Sequence, residues 1–169
     1  MEKFAFILHP LSLQDMEHLS PLMRYIPDPI IEACLKMKKP FKVSHITGIK
    51  SPYAEAEGWF IGCPLTAKQM VELPEEFVMD RIIESGKVAQ ELGAKIVGLG
   101  AFTSIVGDAG ITVAKNLDIA VTSGNSYTVA TAIQGTKQAA RMMGKDLKEC
   151  RAVVVGATGS IGTSFGKRG

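Results

Sequence analysis

Three glycines, Gly156, Gly159 and Gly162, follow the apolar run Ala152 to Val155, an order of residue types suited to holding a phosphate. At a strand–turn–helix junction the first glycine permits a tight turn out of the strand. The second lets a pyrophosphate reach the backbone, and the third lets the helix pack close to the sheet. The helix start would then offer unpaired N–H groups and a positive dipole end. Gly156, Thr158, Gly159, Ser160, Ile161 and Gly162 are therefore the candidate cofactor-binding residues. The acidic residue that would meet the adenosine ribose is expected about 20 residues further on, past Gly169, so the pattern does not separate NAD from NADP. The seven residues after Gly162 hold two glycines and one apolar side chain, a poor amphipathic helix. The expectation is a reading cut or frame-shifted near Ser164, so that 149–169 is only the truncated start of a nucleotide-binding Rossmann domain.

A second set of candidates surrounds a small-molecule cleft. Thr122, Gly124, Asn125, Ser126 and Tyr127 lie between an expected strand end and a helix start, the carboxyl edge at which α/β sheets bind ligands. Their hydroxyls, amide and free N–H groups could position a carbonyl or carboxylate; a helix N-cap with a turn glycine would select the same residue types. Thr103 and Ser104 follow another expected strand by the same logic, with ordinary turn chemistry as the alternative. Tyr127 could donate a proton into the cleft or simply satisfy its hydroxyl at a domain edge.

Other reactive residue types form no constellation. His9, His18 and His45 share no ligand spacing, so no metal site is expected, and only His9, directly after a strand, stands out. Cys63 lies between Gly62 and Pro64 with no adjoining basic residue to lower its pKa, and reads as structural. Glu57 and Asp108 have no paired carboxylate at a spacing suited to acid–base work, and Trp59 reads as core.

These residues need elements to hold them. The 169 residues are 46% hydrophobic, enough for one well-filled core. A net charge of +2 does not point to nucleic acid, and Lys36 to Lys39 reads as a solvated helix end. Three cysteines without a Cys-x-x-Cys pair suit a reducing cytoplasm. The apolar stretch Ile96–Val113 is broken by four glycines and Asp108, and is no membrane span.

Strands are expected at Phe4–Leu8, Phe41–Ile49, Gly58–Gly62, Lys95–Leu99, Asp118–Val121 and 151–155. Helices are expected from Ser12 to about Leu19, over Ile30–Lys38, and after the cap Thr66. A longer one runs from Pro74 to Leu92, with a stripe of Val78, Ile82, Ser85, Ala89 and Leu92, and Gly93 as its C′ residue. A small helix at Ala109–Asn116 and a linking helix at 125–143 complete the set. The class is α/β with a mainly parallel sheet, in two parts: a substrate-side domain at 1–148 and the nucleotide-domain start at 149–169.

Three segments, 99–105, 122–128 and 153–162, resemble in order and spacing the long-chain acyl-[acyl-carrier-protein] reductases and the related predicted amino acid dehydrogenases. The likeness is good from Gly93 to Gly162, weaker back to Gly58, and thin before that. It implies NADPH-dependent reduction (NADH not excluded) of a fatty acyl thioester, acyl-ACP or acyl-CoA, to an aldehyde. It also implies an acyl-enzyme on a cysteine of the nucleotide-binding half, for which this chain has no matching position; the catalytic residue would lie beyond Gly169, leaving the chain inactive alone. The loops at 100–104 and 122–127 would line the cleft. Two alternatives stand beside this. One is an amino-acid, hydroxy-acid or shikimate-type NAD(P)-dependent dehydrogenase, disfavoured by the lack of a matching Lys–Asp pair. The other is a non-catalytic binding domain with a relict glycine loop.

Overall fold

The computed structural model describes residues 1–16 and 24–168, in two units, Met1–Ser123 and Gly124–Gly169. In the first unit, β1 (Glu2–Leu8) is the central strand of a five-stranded sheet. Its neighbours are β2 (Phe41–Lys50), β3 (Glu55–Gly62), β4 (Ile96–Leu99) and β5 (Ala120–Thr122), in the order β2-β3-β1-β4-β5. All pairs are parallel except β2 with β3, an antiparallel hairpin closed by Ser51, whose hydroxyl accepts from the N–H groups of Tyr53 and Ala54. The expected α/β class with a mainly parallel sheet is what the chain forms.

Alternation along β1 divides the sheet into two faces. Ala5 and Ile7 point with Trp59, Ile61, Val97 and Leu99 into the main core. That core is covered by α2 (Ala67–Glu72), α3 (Glu75–Glu91) and α4 (Ile111–Lys115). Of the stripe that the sequence predicts for α3, Val78, Ile82, Ser85 and Ala89 are buried and Leu92 is half-buried, and Met79, Ile83 and Gly86 are buried beside them. Each large apolar side chain among them contributes about 1.5–3 kcal/mol by leaving water. Gly86 admits the Leu117 side chain, which any Cβ there would strike. Thr66 and Gln69 form a full capping box at the start of α2.

Apart from the main core, Leu35 and Ile31 of α1 (Asp28–Met37) form a small second cluster with Leu13 and Ile26. Pro29 lies in the first turn of α1, where its missing N–H costs nothing. The helix expected from Ser12 is, in its described part, a 3-10 turn, Leu13–Met16, held by Asp15 accepting from the N–H groups of Leu11 and Ser12. Its continuation to Leu19 lies outside the described residues.

The second unit contains α5 (Asn125–Met142), a 3-10 turn at Leu147–Glu149, and α6 (Ser160–Arg168). The strand expected at 151–155 is not formed. Residues 151–154 carry no pairing, and Val153 and Val155 are 89% and 95% exposed. Strand residues need a neighbour for their backbone groups, and among the described residues of this unit there is none. Along α5, Val129 is buried and Ile133 half-buried, while Thr136 and, just past the helix, Met143 are exposed.

Candidate functional site

The parallel strands run, in space, β3-β1-β4-β5, so the chain leaves β1 toward one side and returns over it to β4 on the other. Open α/β sheets bind ligands outside the carboxyl ends of their strands at that reversal. Here the place is occupied by His9, just past β1, and by the turn Gly100–Ser104, just past β4.

The two are joined directly. The His9 Nε2 accepts the Phe102 N–H at 3.1 Å, while its Nδ1 lies 3.0 Å from the Pro10 carbonyl. With Nε2 accepting, the proton belongs on Nδ1, which donates to that carbonyl; both ring nitrogens are engaged. The rings of His9 and Phe102 also meet edge to face at 6.1 Å. Gly100 must be glycine, because a Cβ there would stand 2.5 Å from the Ile7 carbonyl oxygen and 2.7 Å from the Phe6 ring. Ala101 takes φ +48°, rare for a residue with a Cβ and a sign of backbone held by its surroundings.

Thr103 and Ser104 lie in this turn, but their hydroxyls serve it. Thr103 is buried and donates from Oγ1 to the Gly100 carbonyl at 2.7 Å, and Ser104 donates to the Ala101 carbonyl at 2.7 Å. Thr122 ends β5, in register with Gly98. These three belong to the first unit; Gly124, Asn125, Ser126 and Tyr127 belong to the second.

Gly124 is the N-cap of α5, with φ +74° and no side-chain cap, so the cap expected of a Ser, Thr or Asn falls to a left-handed glycine. That conformation favours glycine over the polar neighbours the cap rule prefers. Tyr127 stands 77% exposed on the first turn. The Asn125 amide donates to the Ser160 hydroxyl at 2.8 Å, tying the start of α5 to the start of α6. Asn125, Ser126, Val129, Ser160 and Ser164 line a small polar cavity of about 270 Å³. Two of the sequence candidate sets thus meet, within one unit, at two helix N-termini.

The glycine turn has the local geometry its spacing implies. Gly156 takes φ +75°, and Gly159 N–H closes the turn on the Gly156 carbonyl at 3.0 Å. Gly162 packs so close that a Cβ would collide with the Gly156 carbonyl oxygen. At Gly159 a Cβ would meet only that oxygen, at 3.4 Å, so the space in front of it is open. Thr163, which the glycine pattern does not mark, donates from Oγ1 to the Ala157 carbonyl at 2.8 Å and fastens the turn to the helix. Thr158 is an exposed turn residue, and Ser160, Ile161 and Gly162 supply the first N–H groups of α6, which have no partner within a helix.

The remaining polar candidates are committed elsewhere. Glu57 bridges Lys3 at 3.4 Å and His45 at 3.2 Å, with the His45 ring stacked on Trp59. Asp108 accepts from the N–H and hydroxyl of Thr112, which hold its carboxyl below the usual range. Cys63 is fully buried, and desolvation pushes its thiol up to about 11. Among the described residues, no group of three His, Cys, Asp or Glu is placed to hold a metal, and no helix is long and apolar enough to cross a membrane.

No protein-family model matches the chain. Among curated proteins it is 32% identical, over 120 residues covering 71% of its length, to the aminotransferase PigE of a Serratia species. It is 25% identical, over 178 aligned residues covering 95% of its length, to the long-chain acyl-[acyl-carrier-protein] reductase of Synechococcus elongatus. The chain spans 13% of the first protein and 50% of the second. The second likeness makes it a distant relative of an oxidoreductase.

Proposed function

We propose that this chain is the substrate-side portion, with the opening turn of the cofactor domain, of an NADPH-dependent enzyme that reduces a fatty acyl thioester to an aldehyde. The observation that carries the reading is the glycine turn: Gly156 in a left-handed conformation, Gly162 against its carbonyl, and open space before Gly159. A pyrophosphate fits that arrangement. The N–H groups of Ser160, Ile161 and Gly162 would hold it, with the helix dipole adding to them. When bound, NADPH supplies the hydride for the thioester carbonyl. The likeness to the Synechococcus reductase along nearly the whole chain supports an acyl thioester as the substrate class.

The likeness to the Serratia aminotransferase covers a small share of that enzyme. It supports a lobe that occurs in more than one enzyme, not aminotransferase chemistry here. None of the three cysteines is offered as the acyl acceptor: Cys63 is buried and protonated, and Cys34 and Cys150 lie outside the turns that end the parallel strands. The isolated chain is therefore expected to give no turnover.

The test is a chimera in which residues 1–162 replace the matching part of the Synechococcus reductase. NADPH oxidation dependent on acyl-ACP or acyl-CoA, with aldehyde formed and lost in Gly159→Val, is the expected result. A chimera that unfolds in one sharp thermal transition and binds NADPH, yet forms no aldehyde, overturns the reading.

A further inference from the structure

At the carboxyl ends of β1 and β3, on the face away from the main core, lies a cavity of about 320 Å³. Its walls are Leu8, Leu35, Phe41, Val43, Gly62 and Pro64, drawn from three strands, α1 and a loop. Leu8 and Val43 are 38% and 46% exposed, so the cavity presents apolar surface to water. The floor is flat because Gly62 has no side chain; a Cβ there would stand 3.0 Å from Val43 and 3.1 Å from Phe41.

The polar residues that line the cavity are already engaged. Asp15 accepts from the backbone of Leu11 and Ser12, and both ring nitrogens of His9 are taken by Phe102 and Pro10. Lys38 lays its ammonium 4.0 Å from the centre of the Phe41 ring, keeping its charge against an aromatic wall. A hydroxylated or zwitterionic ligand would lose hydration here and recover few hydrogen bonds, a net cost. A hydrocarbon loses nothing and covers Leu8 and Val43. The volume falls at the small end of the roughly 300–1,000 Å³ typical of small-molecule sites.

We infer that this cavity is a binding slot for an unbranched aliphatic chain, with Lys38 favouring an anionic or carbonyl-bearing end. Identifying that chain as the acyl tail of a thioester substrate rests on the function proposed above; the slot itself does not. The tail is held without a covalent bond, since Cys63, the thiol nearest the floor, is buried and stays protonated.

The test titrates the 169-residue chain with straight-chain alkanoates of increasing length, at monomeric concentrations, by displacement of a fluorescent fatty acid. Affinity should rise about fourfold per methylene until the slot is full. Val43→Trp, on the exposed edge strand, should weaken dodecanoate at least tenfold while circular dichroism stays unchanged. Gly62→Ala, which intrudes on the same space from the floor, is the second variant should the first disturb the fold. Affinity that does not depend on chain length, or a folded Val43→Trp that binds dodecanoate as tightly as the parent, overturns the slot. Length-dependent binding together with an inactive chimera would keep the slot and remove the reductase reading. An active chimera whose chain-length preference ignores Val43→Trp would keep the reductase reading and overturn the identification of the slot's occupant as the acyl tail.

Discussion

The imidazole of His9 and the backbone N–H of Phe102, 93 residues apart in sequence, are hydrogen-bonded at 3.1 Å across the point where the sheet's connections diverge. This bond closes the end of β1 onto the turn after β4. It takes the place of a partner that the Phe102 N–H could not find within its own short 3-10 turn.

His9→Ala is therefore expected to leave a half-buried N–H without an acceptor, lowering stability by about 1–3 kcal/mol. His9→Asn, whose amide oxygen can accept, should recover part of the loss. Urea unfolding gives the stability, and hydrogen exchange at the Phe102 amide gives the local effect. Unchanged exchange at Phe102 in the alanine variant would show that the bond does not order the turn.

His9 marks the border of what the sequence discloses. A histidine directly after an apolar strand is visible as a residue at a carboxyl edge, but its partner is not, because the pairing depends on β4 lying beside β1. The same holds for Thr103 and Ser104. Their position at a sheet edge is readable, yet the return of both hydroxyls onto their own turn follows from the φ of Ala101 and the tight approach at Gly100. Helix α3 was legible residue by residue because a single periodic stripe decides its burial. The run Ala152–Val155 has strand composition but no neighbouring strand, and composition alone cannot pair a backbone. The Asn125–Ser160 bond joins residues whose proximity no local pattern encodes.

Cys63 carries a pH-dependent share of the stability. Its folded pKa, pushed up to about 11 by burial, lies above the ordinary thiol value of 9.0. Below pH 9 the thiol is protonated in both states and contributes no pH dependence. As pH rises from about 9 to 11 the unfolded chain ionises first and is favoured, so the fold loses about 3 kcal/mol through this group. Cys63→Ala should show a shallower alkaline decline than the parent, whatever its stability at neutral pH. A thiol reagent at pH 8 should meanwhile titrate two cysteines in the native protein, the exposed Cys34 and Cys150, and three after unfolding. Three rapidly reacting thiols in the native state would contradict the burial.

The three glycines of the final turn are expected to differ in what they tolerate, because each is needed for a different reason. Gly156→Ala places a Cβ in a left-handed backbone at a cost of roughly 1–2 kcal/mol. Gly162→Ala drives a Cβ into the Gly156 carbonyl, which is backbone and cannot swing aside; the start of α6 must move, at a cost of about 1–3 kcal/mol. Gly159→Ala meets only an ordinary contact at 3.4 Å and should leave the turn as it is. Amide chemical shifts of Ser160 to Thr163 report the change directly, with large shifts in the first two variants and small ones in the third. The alanine Cβ at position 159 would stand where the proposed pyrophosphate would approach, so on that proposal the fold tolerates this substitution and cofactor binding does not. Equal disturbance of α6 by all three substitutions would mean that the turn is a packing device alone, with no space reserved in front of Gly159.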